Sequence, residues 1–185
     1  MESEEQIEHI KSNIIISESN MCRGCAYSVY AKSSDTVTFG TGNIYGDFIF
    51  VLPAYDFKTK VGYNTLLTYL RECYRNITGK DVLEDVYVTR LVKCNYYSEH
   101  NLYESAVNTC YKYLNNEFAR IKINNIIFFG SAYDDYIGAN NTNHRFGPNR
   151  IVNKVISPGI IYYGGDSARK DFEDNLRVAI NTNYY

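Results

Sequence analysis

The sequence predicts an α/β fold: a single domain with a largely parallel central sheet flanked by helices. Three observations predict it. Short apolar runs of strand length alternate along the chain with segments of helical periodicity. Two runs, Asp47 to Leu52 and Ile123 to Phe129, are dominated by apolar residues, as strands covered on both faces are. At 185 residues the chain can bury one core without disulfide staples, and it shows neither an internal repeat nor a linker. Residues 1–185 therefore read as one domain, with 1–20 as an N-terminal helical extension.

The elements follow in order. Glu4 to Ile14 sets Ile7, Ile10 and Ile14 at helical spacing among charged residues. Met21-Cys22-Arg23-Gly24-Cys25 is a tight polar loop. Thr36 to Phe39 reads as a short strand before a turn at Gly40-Thr41-Gly42-Asn43. The run ending at Leu52 is stopped by Pro53. Tyr63 to Tyr74 carries Leu66, Leu67 and Leu70 on one helical face. Val86 to Val92 is β-branched and suits a strand. Ser98 is placed to cap a helix from about Leu102 to Ile121, with Leu102, Ala106, Cys110 and Tyr113 on one side. After the strand ending at Phe129, Gly130-Ser131-Ala132 is a strand-to-helix turn, and Asp134 and Asp135 open a short helix. Asn140 to Asn149 is a polar loop. Val152 to Ile156 is strand-like and stops at Ser157-Pro158-Gly159. Asp166 or Ser167 caps a final helix bearing Phe172, Leu176 and Ile180.

The net charge is −2 and the basic residues are scattered, unlike the basic stripe of a typical duplex-DNA binder. Tyrosine occurs 19 times and tryptophan not at all. Two readings account for this: tyrosine-rich contact surfaces, or codon usage in an A/T-rich genome that also favours Asn, Ile and Lys. Met1 to Asn13 lacks the pattern of a signal peptide, and no apolar run reaches membrane-span length. The expectation is a protein that is intracellular when made, where cysteines more often bind metals or do chemistry than pair.

Four of the five cysteines fall in two groups. Cys22 and Cys25 form C-x2-C, and Cys94 and Cys110 follow as C-x15-C. Cys94 ends a strand and Cys110 sits on the inner face of the next helix. Those two points can converge, and the N-terminal loop can close over them. Thiolates suit tetrahedral iron or zinc. The alternative is that Cys94 and Cys110 are small buried core residues. Cys73 lies within an apolar helix and reads as core. A redox pair at Cys22 and Cys25 lacks the preceding strand it would need.

The cysteine pattern, together with Val86-Tyr87-Val88-Thr89-Arg90-Leu91-Val92-Lys93-Cys94 and Ile126-Ile127-Phe128-Phe129-Gly130-Ser131-Ala132, resembles the iron–sulfur (family 4) uracil-DNA glycosylases. Their corresponding strands read "V-Y-x-T-N-x-V-K-C" and "I-I-x-L-G-x-x-A". Val61-Gly62 through Leu66-Leu67, Lys154 to Pro158, and Asp171 to Leu176 extend the likeness, which runs from about residue 20 to near the end. The resemblance implies a uracil-DNA glycosylase-like fold. It also implies a 4Fe-4S cluster on Cys22, Cys25, Cys94 and Cys110, with zinc at the same thiolates as the alternative.

The departures bear on catalysis. Base excision needs an anion or activated water near the sugar and a donor to the departing base. The family's "G-E-A-P-G" loop is Leu52-Pro53-Ala54-Tyr55-Asp56 here, and the segment up to Val61-Gly62 is shortened. Ser157 stands for the His of "H-P-S/A", and Arg90 for the Asn that reads uracil. Losing one such electrostatic group typically costs about 10²–10³ in rate. Asp56, Ser157 and His144 are the remaining catalytic candidates; Asp56 otherwise reads as a turn or cap residue and His144 as a solvent-facing loop residue. The expected function is that of a non-catalytic glycosylase-fold protein in a structural or assembly role. The chain most resembles glycosylase-like proteins of tailed (crAss-like) phages. That implies a virion ring or tail-connector component made in the bacterial host cytoplasm, with other protein subunits as partners and tyrosines such as Tyr184 and Tyr185 as contacts. An active glycosylase with a rearranged site and a DNA-binding module are the alternatives.

Overall fold

The structure is a computed structural model and describes residues 25, 40–94, 102–140, 146 and 149–182. Cys22, Ser98, His144, Tyr184 and Tyr185, the expected helix over Glu4 to Ile14, the strand over Thr36 to Phe39 and most of the Asn-rich loop lie outside them. A mixed five-stranded sheet, mostly parallel, is built from β1 (Thr41–Gly42), β2 (Phe48–Leu52), β5 (Val86–Arg90), β6 (Asn125–Phe129) and β7 (Ile151–Val155), in the order β1-β5-β2-β6-β7. β2 lies at the centre and all five of its residues are buried. It pairs in parallel with β5, Phe48 opposite Val86, and with β6, Phe48 opposite Asn125. β6 pairs in parallel with β7, and β1 runs antiparallel to β5. A separate hairpin joins β3 (Tyr55–Asp56) to β4 (Val61–Gly62).

Side-chain alternation along the strands divides the core in two. Ile49, Val51, Tyr87, Ile126 and Phe128 face α3 (Tyr103–Arg120) and α4 (Ala132–Asn140). Phe48, Phe50, Leu52, Val86, Val88, Ile127 and Phe129 face α1 (Tyr63–Thr78) and α5 (Ile161–Asn181). Helices thus cover both faces of the sheet. The right-handed crossover rule accounts for this: the chain leaves β2 toward β5, then returns past β2 to β6, and reversing the direction reverses the face on which the helix packs.

α1 buries Leu66, Leu70, Cys73 and Tyr74, a helical stripe. It ends where Gly79 turns left-handed at φ 77° and its N–H meets the Arg75 carbonyl at 2.8 Å. Asp81 then caps the short α2 (Val82–Asp85) by accepting from the Leu83 N–H.

Three expectations change. Thr41 and Gly42 form a strand rather than a turn; Gly42 has φ 100°, and a Cβ there would lie 2.2 Å from the Val86 carbonyl oxygen. α5 begins at Ile161, ahead of Asp166, and breaks at Gly165 with φ 56° and ψ −141°. The N-cap of α3 is Leu102, with no side-chain capping bond. Among the described residues, no helix is long and apolar enough to cross a membrane.

Candidate functional site

The parallel strands deliver two groups of chemistry-bearing residues to their C-terminal ends. The first surrounds the cysteines. Cys94 follows β5 and is buried; Cys110, on the inward face of α3, is buried too. Cys25 is half-buried and packs against the same cluster. Cys73 lies on the opposite side of the sheet, packed with Leu70 and Phe172. Burial first, then the neighbouring Glu173, pushes its thiol up to about 12. Cys25 and Cys73 are free thiols. Among the described residues, no three His, Cys, Asp or Glu side chains form a group that could hold a metal ion. The expected set includes Cys22, outside those residues.

Arg90, the last residue of β5, is 2% exposed. Its guanidinium carbon stands 4.3 Å from the centroid of the Tyr63 ring, and Nη2 reaches the Lys93 carbonyl at 3.4 Å. Burial lowers the Arg90 pKa, while Tyr63, Cys94 and Cys110 counter that by raising it. Burial, opposed by Arg90, pushes the Tyr63 hydroxyl up to about 12, so Tyr63 is neutral at pH 7. Arg90 interacts electrostatically with Cys94 and Cys110, and a nearby cation is compatible with thiolate ligation in general. In this respect the donor set fits a thiolate-bound metal.

A buried polar network pins β5 to α3. Glu117 is fully buried, and its Oε2 lies 2.5 Å from Lys93 Nζ. Lys93 also donates to Thr89 Oγ1 at 2.6 Å, the Tyr87 hydroxyl donates to Glu117 Oε1 at 2.8 Å, and the Thr89 hydroxyl donates to the same carboxylate. Lys93 precedes Cys94, and Glu117 lies two helical turns beyond Cys110, so the ion pair fixes the relation between the chain segments carrying both thiols. Glu117 is absent from the sequence-derived candidates. Its signal was its place on the apolar stripe of α3, between Tyr113, Leu114 and Phe118.

The second group lines a cleft of about 740 Å³ at the C-terminal ends of β2, β6 and β7. Strand order reverses between β2 and β6, the place where open α/β sheets bind ligands. Asp56, 7% exposed, stands on the β3–β4 hairpin. Its Oδ1 accepts from the N–H groups of Lys58 at 3.0 Å and Thr59 at 3.3 Å, the turn role weighed from the sequence. Its Oδ2, like Thr59 Oγ1, is buried and has no hydrogen-bond partner among the described residues. Ser157 Oγ accepts from Gly159 N–H at 3.1 Å and caps the 3-10 turn Pro158–Ile160. Asp134 and Asp135 lie in the first turn of α4, as expected. Burial raises the Asp135 pKa; the Ser131 hydroxyl opposes this and Asp134 adds to it. Lys154 pairs with Asp134 at 3.5 Å on the exposed rim.

No family model matches the chain, and comparison with curated proteins finds no significant match.

Proposed function

We propose that this chain is a non-catalytic protein of uracil-DNA glycosylase-like fold that serves as a structural or assembly component, of a phage virion by the resemblance above. Cys22, Cys25, Cys94 and Cys110 would hold its metal centre, a 4Fe-4S cluster or zinc. Bound there, the metal supplies folding free energy by cross-linking the N-terminal loop to β5 and α3. The observation that carries the reading is Arg90. At the position where the glycosylases keep a base-reading Asn, this chain has a guanidinium buried over Tyr63 that interacts electrostatically with Cys94 and Cys110, and Arg90 does not line the cleft. Ser157, in the place of the base-side His, accepts from the Gly159 N–H and caps a turn. The cation therefore serves the thiols rather than a flipped base. Asp56, whose Oδ2 lacks a partner among the described residues, favours the second reading, an active glycosylase with a rearranged site.

The test is metal analysis and base excision on anaerobically purified protein, with single- and double-stranded uracil oligonucleotides. The expected result is one zinc or about four irons per chain, lost in Cys22→Ser, no excision, and self-association in light scattering. Metal-free folded protein overturns the metal centre. Excision abolished by Asp56→Asn overturns the non-catalytic reading, and a strictly monomeric protein overturns the assembly role.

A further inference from the structure

We infer that the outer edge of β7 pairs antiparallel with β7 of a second copy of this chain, joining the two sheets across a twofold axis at Asn153. The inference rests on the assembly reading above and names its partner. β7 stands last in the sheet order, with β6 on one side only. The Ile151 N–H donates to the Asn124 carbonyl, and the Gly130 N–H to the Val155 carbonyl, both at 2.9 Å. Alternate residues of a parallel strand bond the same neighbour, so the backbone of Ile151, Asn153 and Val155 is committed to β6. The N–H and C=O groups of Val152 and Lys154 point the other way, and no partner for them occurs among the described residues. This open stretch ends at Ile156, whose N–H donates to Asn175 Oδ1 at 3.1 Å.

Sheet edges are usually guarded by charges, prolines or bulges. β7 contains no proline and keeps an unbroken register with β6. Its one charged residue, Lys154, is folded back over α4: Nζ stands 4.7 Å from the centroid of the Tyr133 ring and 3.5 Å from Asp134 Oδ1. Apolar side chains flank the edge instead. Ile151 is 46% exposed, and Val178, one helical turn beyond Asn175 on α5, is 65% exposed. A copy centred on Asn153 sets Val152 opposite Lys154 and Ile151 opposite Val155. Every outward N–H and C=O of Val152 and Lys154 then finds a partner, and the apolar side chains meet across the seam. Charge selects this register. Centring on Lys154 would set two lysines face to face, and centring on Val152 would set Lys154 opposite Arg150. Like charges directly opposed destabilise a strand pair. The other end of the sheet is a poorer partner for β7, because β1 is only two residues long.

The experiment is sedimentation of the full chain from about 1 to 100 µM, joined to cysteine cross-linking. The parent should pass from monomer to dimer or a multiple of it across this range. Ile151→Glu and Val178→Glu place a charge on residues exposed in the monomer. Both should fold as the parent does and weaken self-association at least about tenfold. Val152→Pro removes an outward N–H and leaves the β6 ladder intact; it should weaken self-association about tenfold to a hundredfold. Asn153→Cys should form an intermolecular disulfide on mild oxidation, because a non-hydrogen-bonded pair on the axis holds its Cα atoms about 4.5 Å apart. Lys154→Cys should not, since the two copies of that residue lie on a diagonal, beyond the roughly 7 Å that a disulfide spans. Mass spectrometry of the linked peptides separates these bridges from any made by a native cysteine. Self-association that survives Ile151→Glu and Val152→Pro, without a bridge at Asn153→Cys, overturns the inference and leaves the assembly role to another surface. A bridge at Lys154→Cys in preference to Asn153→Cys overturns the register. A parent chain that stays monomeric at about 100 µM overturns the inference and the assembly role together.

Discussion

Replacing Glu117 with Gln tests the buried pin between β5 and α3. The Lys93 and Glu117 side chains are 1% and 0% exposed and bonded at 2.5 Å. The amide keeps the size of the carboxylate and can still accept from Tyr87 and Thr89. What it removes is the charge opposite an ammonium that cannot reach water. Breaking a buried ion pair from one side costs about 3–5 kcal/mol. For a domain near this size, that lowers Tm by roughly 6–20 °C. Lys93→Met should lose a similar amount, because it strands the carboxylate. Lys93→Met with Glu117→Leu removes both charges and replaces them with apolar volume. That exchange is often neutral or favourable, set here against the lost partners of the Tyr87 and Thr89 hydroxyls at about 1–3 kcal/mol each. The double variant should therefore lie closer to the parent than the sum of the singles by several kcal/mol. Urea unfolding of the four proteins, analysed as a double-mutant cycle, measures the coupling. Single losses below about 1 kcal/mol, or singles that add, would refute the reasoning.

Two further predictions concern titratable groups away from the cleft. Asp81 is held below the ordinary carboxylate pKa first by the Arg71 hydrogen bond and then by the Leu83 backbone N–H. Its contribution is therefore complete above the unfolded carboxyl pKa of about 4 and is lost as pH falls through the lower folded value. Asp81→Asn, which keeps the cap, should cost about 0.5–1 kcal/mol in urea unfolding at pH 7 and progressively less as pH falls below about 4. The Cys73 thiol, buried and raised to about 12, should resist iodoacetamide at pH 8 until the protein unfolds. Metal-free Cys25, half-buried, should alkylate before it, as mass spectrometry of timed samples would show.

The sequence showed most clearly those parts of the fold whose signal is local. β2 and β6 were legible as apolar runs because each is covered on both faces. α3 was expected over Leu102 to Ile121 and spans Tyr103–Arg120, because its stripe repeats through Ala106, Cys110 and Tyr113. That stripe runs on to Glu117. A glutamate on an apolar face announces a buried cation elsewhere, but locating Lys93 requires the strand-to-helix packing. β1 was illegible for a related reason: Thr41 and Gly42 owe their strand geometry to the edge of β5, which only a residue without a Cβ can approach so closely. Arg90 was legible as a departure from a familiar pattern. That its side chain lies over Tyr63 was not, because a rotamer depends on three-dimensional neighbours.

The link between Arg90 and the cysteines can be measured without knowing what else touches the guanidinium. Arg90→Met removes the charge and keeps much of the volume. Its effect on the metal-loaded protein, minus its effect on the metal-free protein, cancels every interaction common to both states. What remains is the attraction between Arg90 and the charge that metal binding fixes on Cys94 and Cys110. At the effective dielectric of protein interiors a close pair of unit charges is worth about 4 kcal/mol. Spread over two sulfurs and partly shared with the metal, about 1–3 kcal/mol should survive. By linkage the same quantity appears in metal affinity, so Arg90→Met should bind metal roughly 5- to 150-fold more weakly. Competition with a chelator reads this directly, and Arg90→Lys should recover part of it. An affinity unchanged by Arg90→Met would mean that no charge develops on the thiols. The guanidinium would then be a space-filling group over Tyr63, and Cys94 and Cys110 would be core residues.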